Sequence, residues 1–229
     1  MKIEGEKVEG IFEKRLNRFV ASVKIDGTLE YVHVPNSGRL KELLTPGARV
    51  ILQRALNPRR KYPYDLIMVY KEDTLVSIDS TLPSRLLASE LLEKNLLELD
   101  YDRVKTEVTF GNSRFDVALE KNGKVFYYIE VKGVTLVEKS RALFPDAPTE
   151  RGAKHMLELA EAKREGFGAG VFFVVQRDDA RFFSPNDAMD KNFGMALRAA
   201  ADAGVELYAY SCRVTENEVE LLRPLTVLL

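Results

Sequence analysis

The sequence predicts an α+β protein in two parts, a small closed β-barrel over residues 1–80 and a mixed α/β sheet domain over residues 81–229. Three observations carry that reading. Short apolar–polar alternations separated by turn signals crowd the first third of the chain. Near residue 80 the pattern changes to helical spacings that alternate with strands. One later strand, Val171-Phe172-Phe173-Val174-Val175, is apolar on both faces, as a central strand covered by helices must be.

Phe19, Ala21, Val23 and Ile25 alternate with polar or smaller neighbours, and Asp26-Gly27 offers a tight hairpin turn into a return strand over 29–34. Pro35-Asn36-Ser37-Gly38 breaks that strand; residues 39–44 read as one or two helical turns, and Pro46-Gly47 as another turn. Strands over 48–56, 64–71 and 75–78 bring the number to five, which with the helical insertion suggests an OB-like barrel.

Asp79, Ser80 and Thr81 are cap candidates ahead of Pro83, and Leu82, Leu86, Leu87, Leu91 and Leu97 keep helical spacing. Strands follow over 103–110, 113–119 and 125–131, then a helix over 151–165 and the apolar strand over 171–175. Ser184-Pro185 reads as the start of a further helix, with Asp187 as its capping-box partner. Strands over 205–210 and 218–222 end the chain. This α-β-β-β-α-β order with an α-β tail describes a mixed sheet with helices on its faces. The junction at 79–82 has little linker character, so the two parts are expected to pack together.

Composition narrows the function. Net charge is −1 with an isoelectric point of about 6.2, so no bulk positive field advertises nucleic acid. Contact with nucleic acid would have to come from local basic clusters or a metal. The single Cys212 excludes an intramolecular disulfide and a Cys-based zinc site, and His33 and His155 are too few for a His-rich one. Charge carried by Lys, Arg and Glu, with only Gln53 and Gln176, is compatible with a thermophilic source. The start, MKIEGEKVEG, is too polar for a secretory signal, and no uncharged run is long enough to span a bilayer. A cytoplasmic protein without membrane contact is expected.

The chemistry concentrates in RFDVALE and YYIEVKG. Glu130 and Lys132 are two apart on a strand, so they share a face with Cα atoms about 6.7 Å apart. Asn122-Gly123 is a hairpin signal that pairs this strand antiparallel with the one carrying Asp116. A two-residue turn would set Asp116 opposite about residue 129, so a same-face register with Glu130 needs a bulge or a longer turn. Two hard carboxylates can hold Mg²⁺, which lowers the pKa of a bound water, and a nearby Lys can orient that water or neutralise a phosphate oxygen. Phosphodiester cleavage is the reaction such a set serves. The competing reading is a plain Glu130–Lys132 ion pair. Asp is depleted in strands, and a carboxylate ending an apolar-aromatic run needs a partner or a metal. Glu90 adds a third acid, inside the apolar stripe of the first helix, with Glu93 as its rival and a tolerant helix border as the plain alternative.

Helix with Glu, strand with Asp, hairpin to Glu-x-Lys, helix and strand together resemble the core of the PD-(D/E)xK nuclease superfamily. More specifically, PNSGRL, NPRRKYPYD, SRFDVALE, YYIEVKGVTLVEK and FPDAPTERGAKH resemble the sugar fermentation stimulation protein A family. The resemblance implies an N-terminal OB domain, a C-terminal domain of PD-(D/E)xK nuclease type, DNA binding and an effect on sugar (maltose) metabolism. By the superfamily pattern Asp116 and Glu130 would be metal ligands with the Val131 carbonyl as a third, Lys132 the catalytic lysine and Glu90 the helix acid. Asp116 follows Phe115 where the superfamily signature has Pro.

Other basic groups fall into two sets. Arg151, Lys154 and His155 lie in the first turns of a helix that Thr149 can cap, where they can meet a phosphate or form a solvated helix start. Arg54, Arg59, Arg60 and Lys61 alternate with Tyr62 and Tyr64, so phosphate neutralisation with base stacking competes with a solvated loop over packed tyrosines. Arg39, with Asn36 and Ser37, can contact a backbone. The expected function is a metal-dependent DNA phosphodiesterase using Mg²⁺, with Mn²⁺ as the substitute ion, acting on single- or double-stranded DNA. A homodimer is the expected protein partner. The alternatives are a non-catalytic DNA-binding regulator on a nuclease scaffold and, more weakly, a carbohydrate-related binding module.

Overall fold

The computed structural model describes residues 1–57 and 59–229; Pro58, within the NPRRKYPYD segment, lies outside the described residues. The first part contains β1 (Lys7–Asn17), β2 (Val20–Ile25), β3 (Thr28–His33), β4 (Arg49–Arg54), β5 (Tyr64–Lys71) and β6 (Thr74–Ser77). Their order is β3-β2-β1-β4-β5-β6, and contact between β3 and β5 closes β1 to β5 into the OB barrel. Phe12, Val23, Val32, Leu52 and Leu66 fill it. Residues 39–44 form a single turn, with Leu44 N–H donating to the Leu40 carbonyl at 2.9 Å, rather than a helix.

β1 escaped the sequence reading for a physical reason. Two register irregularities, between Phe12 and Lys14 and between Arg15 and Asn17, break its alternation. Only Gly10 and Phe12 along it are buried.

The second part contains α1 (Leu82–Lys94), β7 (Arg103–Phe110), β8 (Ser113–Lys121), β9 (Lys124–Val134), β10 (Val137–Glu138), β11 (Arg141–Phe144) and α2 (Glu150–Arg164). It continues with β12 (Gly168–Val175), β13 (Phe182–Pro185), α3 (Lys191–Asp202), β14 (Glu206–Val214), β15 (Val219–Pro224) and β16 (Thr226–Val227). The main sheet runs β15-β14-β12-β9-β8-β7, with β12 parallel to both β9 and β14 and the other pairs antiparallel. A smaller sheet, β10-β11-β13-β16, is built from strands too short to show a period.

Two helix boundaries differ from expectation. α1 stops at Lys94 because Asn95 turns left-handed (φ 47°), leaving Leu97 outside. Ser184-Pro185 ends a strand, and α3 starts later, where the Asp190 carboxylate accepts the Phe193 N–H at 3.0 Å. Among the described residues no helix is long and apolar enough to cross a membrane.

The main sheet is covered on both faces. Phe115, Tyr128, Val171 and Phe173 pack against Met156 and Leu159 of α2 and Phe193 and Leu197 of α3. Val117, Ile129, Val131 and Phe172 pack against Leu86, Leu87 and Leu91 of α1, and Ile51, Ile67 and Met68 of the barrel join that same core. Gln176 sews the junction: its carbonyl accepts Ser77 N–H at 3.0 Å and its amide donates to the Asp79 carbonyl at 3.1 Å. Gly133 lets β9 pass beneath this crossing, since a Cβ there would meet Gln176 Oε1 at 2.7 Å and Pro83 Cγ at 2.9 Å.

Gly168 has a similar steric role on β12. A Cβ on it would lie 2.1 Å from Tyr127 Cδ2, on a ring packed into the core and hydrogen-bonded to Glu206. Gly168→Ala should destabilise the protein by about 1–3 kcal/mol through overpacking. Tyr127→Ala combined with it should restore the lost clearance while leaving a cavity. Urea melts of the two variants check this; a Gly168→Ala midpoint equal to wild type would show that the ring moves freely.

Candidate functional site

The register of β8 and β9 builds the site. The hairpin pairs Lys121 with Lys124, but a shift between Leu119 and Glu120 advances β9 by one residue. The paired register then ends at Val117–Ile129, which makes Asp116 and Glu130 the next positions, facing each other. The bulge supplies the extra residue that the two-residue turn lacked.

At this point β8 leaves β9. Val131 N–H donates to Asp116 Oδ2 at 2.8 Å. A strand residue directs its N–H and C=O to the same side, so the Val131 carbonyl also faces the Asp116 edge. Glu107 on β7 has a left-handed backbone (φ 57°) and adds a further negative charge near Asp116. Burial, then the Glu130 charge, push the Asp116 carboxyl up to about 6 against the Val131 hydrogen bond and the pull of Lys132.

Glu130 is only 3% exposed. Its Oε1 lies 2.5 Å from Lys132 Nζ and 2.5 Å from His155 Nδ1. Its Oε2 is buried without a hydrogen-bond partner among the described residues. Burial would raise this carboxyl, yet the His155 hydrogen bond and Lys132 outweigh it and hold the group below the usual carboxylate range. His155 stands on α2 with its ring edge-on to Phe115 and its Nε2 3.3 Å from Arg151 Nε.

The donor set suits a hard divalent cation. Asp116 and Glu130 come to one edge as neighbouring charges, the Val131 carbonyl is directed to it, and Glu130 Oε2 lacks a partner among the described residues. Among the described residues no group of three or more His, Cys, Asp or Glu is gathered closely enough to hold a metal ion by itself.

Glu90 is not brought to this edge. It is buried on α1 against Lys94 Nζ at 2.9 Å and helps burial push the Cys212 thiol on β14 up to about 12. The first turn of α1, through Ser84 and Arg85, is what meets Asp116, in a cavity of 380 Å³ shared with Ser80, Thr81, Thr106 and Glu107. Glu90 lies roughly 8 Å further along the helix axis. Glu93, the rival, accepts a bond from Ser89 at 2.9 Å.

His155 is likewise not a surface contact: it is 4% exposed, turned inward with Met156 and Leu159, and committed to Glu130. Its place in that apolar stripe was the available signal. Arg151 and Lys154 remain exposed, Lys154 reaching the Asn112 carbonyl at 3.3 Å. In the barrel, Arg60 forms a two-point bond to Asp65 at 2.6 and 2.8 Å, and Asp65 also meets His33, so this arginine is occupied in the fold. Arg59 is exposed, and Lys61 sits over the Tyr62 ring at 5.3 Å. Arg39 is exposed on the loop that Arg15 clamps through the carbonyls of Asn36, Gly38 and Arg39. The sequence reading passed over Arg15, Arg85 and Glu107.

An OB barrel packed on a mixed α/β domain that carries an Asp and a Glu-x-Lys at one strand edge defines the class of this protein. Within that class, the chain belongs to the sugar fermentation stimulation protein (SfsA) family. A family profile described as the sugar fermentation stimulation protein RE domain matches residues 81–218, and one described as the SfsA N-terminal OB domain matches residues 14–78. A sugar fermentation stimulation protein homolog of Alkaliphilus metalliredigens is 52% identical over 96% of this chain and 95% of its own. One of Clostridium botulinum (strain Kyoto) is 50% identical over 99% of both chains. The solved structure of Pyrococcus furiosus SfsA in complex with Ca²⁺ matches with a TM-score of 0.90 and 28% identity, over 100% of this chain and 98% of that one.

The raised Asp116 carboxyl has a stability consequence. Its folded-state pKa lies above the ordinary 3.8, so the folded state prefers it neutral. The preference is fully expressed below about pH 4 and is lost as pH rises through about 6. Asp116→Asn keeps an acceptor for Val131 N–H without the charge. In divalent-free buffer it should exceed wild type by about 1–3 kcal/mol at pH 8, with the gap closing near pH 4. Denaturant melts across that range decide it; parallel pH profiles would overturn it.

Proposed function

We propose that this protein is a DNA-binding, divalent-metal-dependent phosphodiesterase. The observation that carries the reading is the Asp116–Glu130 edge with Lys132 beside it and Glu130 Oε2 without a partner among the described residues. Asp116, Glu130 and the Val131 carbonyl would hold Mg²⁺ or Mn²⁺, and the Ca²⁺ of the Pyrococcus furiosus relative supports a divalent ion in this family. Such an ion supplies an acidified water and charge neutralisation for in-line attack on phosphorus. Lys132 orients the attacking water through its ammonium and can take up a phosphate oxygen's charge. Arg85, exposed in the lining of the Asp116 cavity, would meet the adjoining phosphate by turning from Met1 Sδ, now 3.9 Å from its guanidinium.

The path for a polynucleotide is the groove between the two domains. The 380 Å³ cavity at Asp116 shares Ser80 with a 210 Å³ cavity along Gly133 and Asp146. That one shares Ser37, Gly38, Phe144 and Asp146 with a 1140 Å³ cleft. Arg15, Arg18, Arg39 and Lys41 line the cleft, with Asp146 the one acid among its described lining residues. This local basic wall answers the near-neutral net charge, because phosphate contacts need only a local field.

A second reading is a DNA-binding regulator without catalysis, connected with sugar metabolism as the relatives' names suggest. The Lys132 and His155 bonds that already occupy Glu130 Oε1 favour it, since they also serve to hold a buried carboxylate in the fold.

Cleavage of single-stranded, duplex and branched DNA with Mg²⁺ or Mn²⁺ separates the two. Asp116→Ala and Lys132→Ala should each lower the rate at least about 100-fold. Cleavage that persists in both purified variants would place the activity elsewhere, and metal-independent binding without cleavage would favour the regulator. For the groove, Arg39→Glu with Lys41→Glu should weaken DNA affinity about tenfold or more and reduce the salt-dependence slope by about two. Fluorescence anisotropy at several salt concentrations measures this; unchanged affinity would exclude the groove as the DNA path.

A further inference from the structure

We infer that His155 and Arg151 are positioning residues that set which oxygen of Glu130 is offered to a divalent cation. The inference rests on reading the Asp116–Glu130 edge as a metal site and adds a device that the two carboxylates and the lysine do not contain.

The hydrogen-bond chain has a fixed direction. An arginine Nε can only donate, so its contact with His155 Nε2 at 3.3 Å makes that ring nitrogen the acceptor. The ring proton of the neutral tautomer is therefore on Nδ1, which donates to Glu130 Oε1 at 2.5 Å. Arginine does not deprotonate in proteins, so the tautomer is held by a permanent charge. Phe115, edge-on to the imidazole with centroids 6.1 Å apart, limits ring rotation.

The consequence falls on the carboxylate. Oε1 receives both His155 and Lys132, while Oε2 receives no donor among the described residues. Lys132 alone, on a flexible stem, could follow either oxygen as the carboxylate turned. A rigid ring from a different element cannot. His155 thus keeps the loaded oxygen on the α2 side and the bare one available, and Arg151 keeps His155 in the tautomer that does so. Groups that orient a metal-binding side chain in this way typically change metal affinity 10–100-fold when removed.

The test is Mn²⁺ and Ca²⁺ binding to the full chain, followed by titration calorimetry and by the Mn²⁺ spin-resonance signal. His155→Ala should weaken Mn²⁺ binding about 10–100-fold while circular dichroism shows the native fold. His155→Asn, whose amide N–H stands near the Nδ1 position, should recover part of the loss. Arg151→Met, at an exposed position, should give a smaller weakening and decides the matter if His155→Ala does not fold. Wild-type affinity in folded His155→Ala, or in Arg151→Met when His155→Ala fails to fold, overturns the inference alone. Absence of Mn²⁺ and Ca²⁺ binding by the wild type overturns the metal reading and the inference together.

Discussion

A carboxylate buried on the central strand of a doubly covered sheet constrains everything around it. β9 carries Glu130 between Ile129 and Val131, whose side chains are sealed under α1, and on a face sealed by α2. An ionised group there costs several kcal/mol unless partners offset the loss of water. The fold supplies two, Lys132 from the same strand and His155 from α2, and both take the same oxygen. Asp116 receives a main-chain N–H from Val131 and faces the charge of its neighbour. The two acids therefore titrate in opposite directions from their ordinary values. Such separation is a feature that functional sites share with structural ion-pair networks.

The part of this that could be read from the sequence follows the two-residue period of a strand. Glu130 and Lys132 had to share a face, and Asn122-Gly123 had to turn the chain back toward Asp116. The bulge at Leu119 and Glu120 could only be stated as a requirement, because an extra unpaired residue leaves no mark in composition. Glu90 shows the opposite limit. Helical periodicity places a side chain around the axis but not along a neighbouring sheet, and Glu90 is paired with Lys94, away from the α1 turn that lines the Asp116 cavity. His155 was drawn outward by its nearness to a helix start, although Met156 and Leu159 beside it already marked the inward face.

The fold outline was legible where alternation was long. The three strands β7, β8 and β9, the helix α2 and the strand β12 fall where the patterns put them. β1 was hidden by its two irregularities, and the small sheet by strands of two to four residues. At α3 a Ser-Pro pair imitated a helix start, while the working cap was Asp190, which also accepts the Thr149 N–H that precedes α2. One side chain thereby ties the beginnings of both helices on that face, a long-range contact that local pattern cannot express.

The shared core of barrel and sheet carries a thermodynamic meaning. Ile51, Ile67 and Met68 belong to barrel strands yet are buried in the same cluster as Leu86, Val131 and Phe172. Separating the halves would open that cluster to water and strip Gln176 of its bonds to Ser77 and Asp79. Two family profiles meet at residues 78 and 81, but the physical chain has no seam there. Heat should therefore melt both halves in one cooperative transition. The units recognised by descent are then not the units that fold, and neither half can be expected to keep its native form when excised from the other.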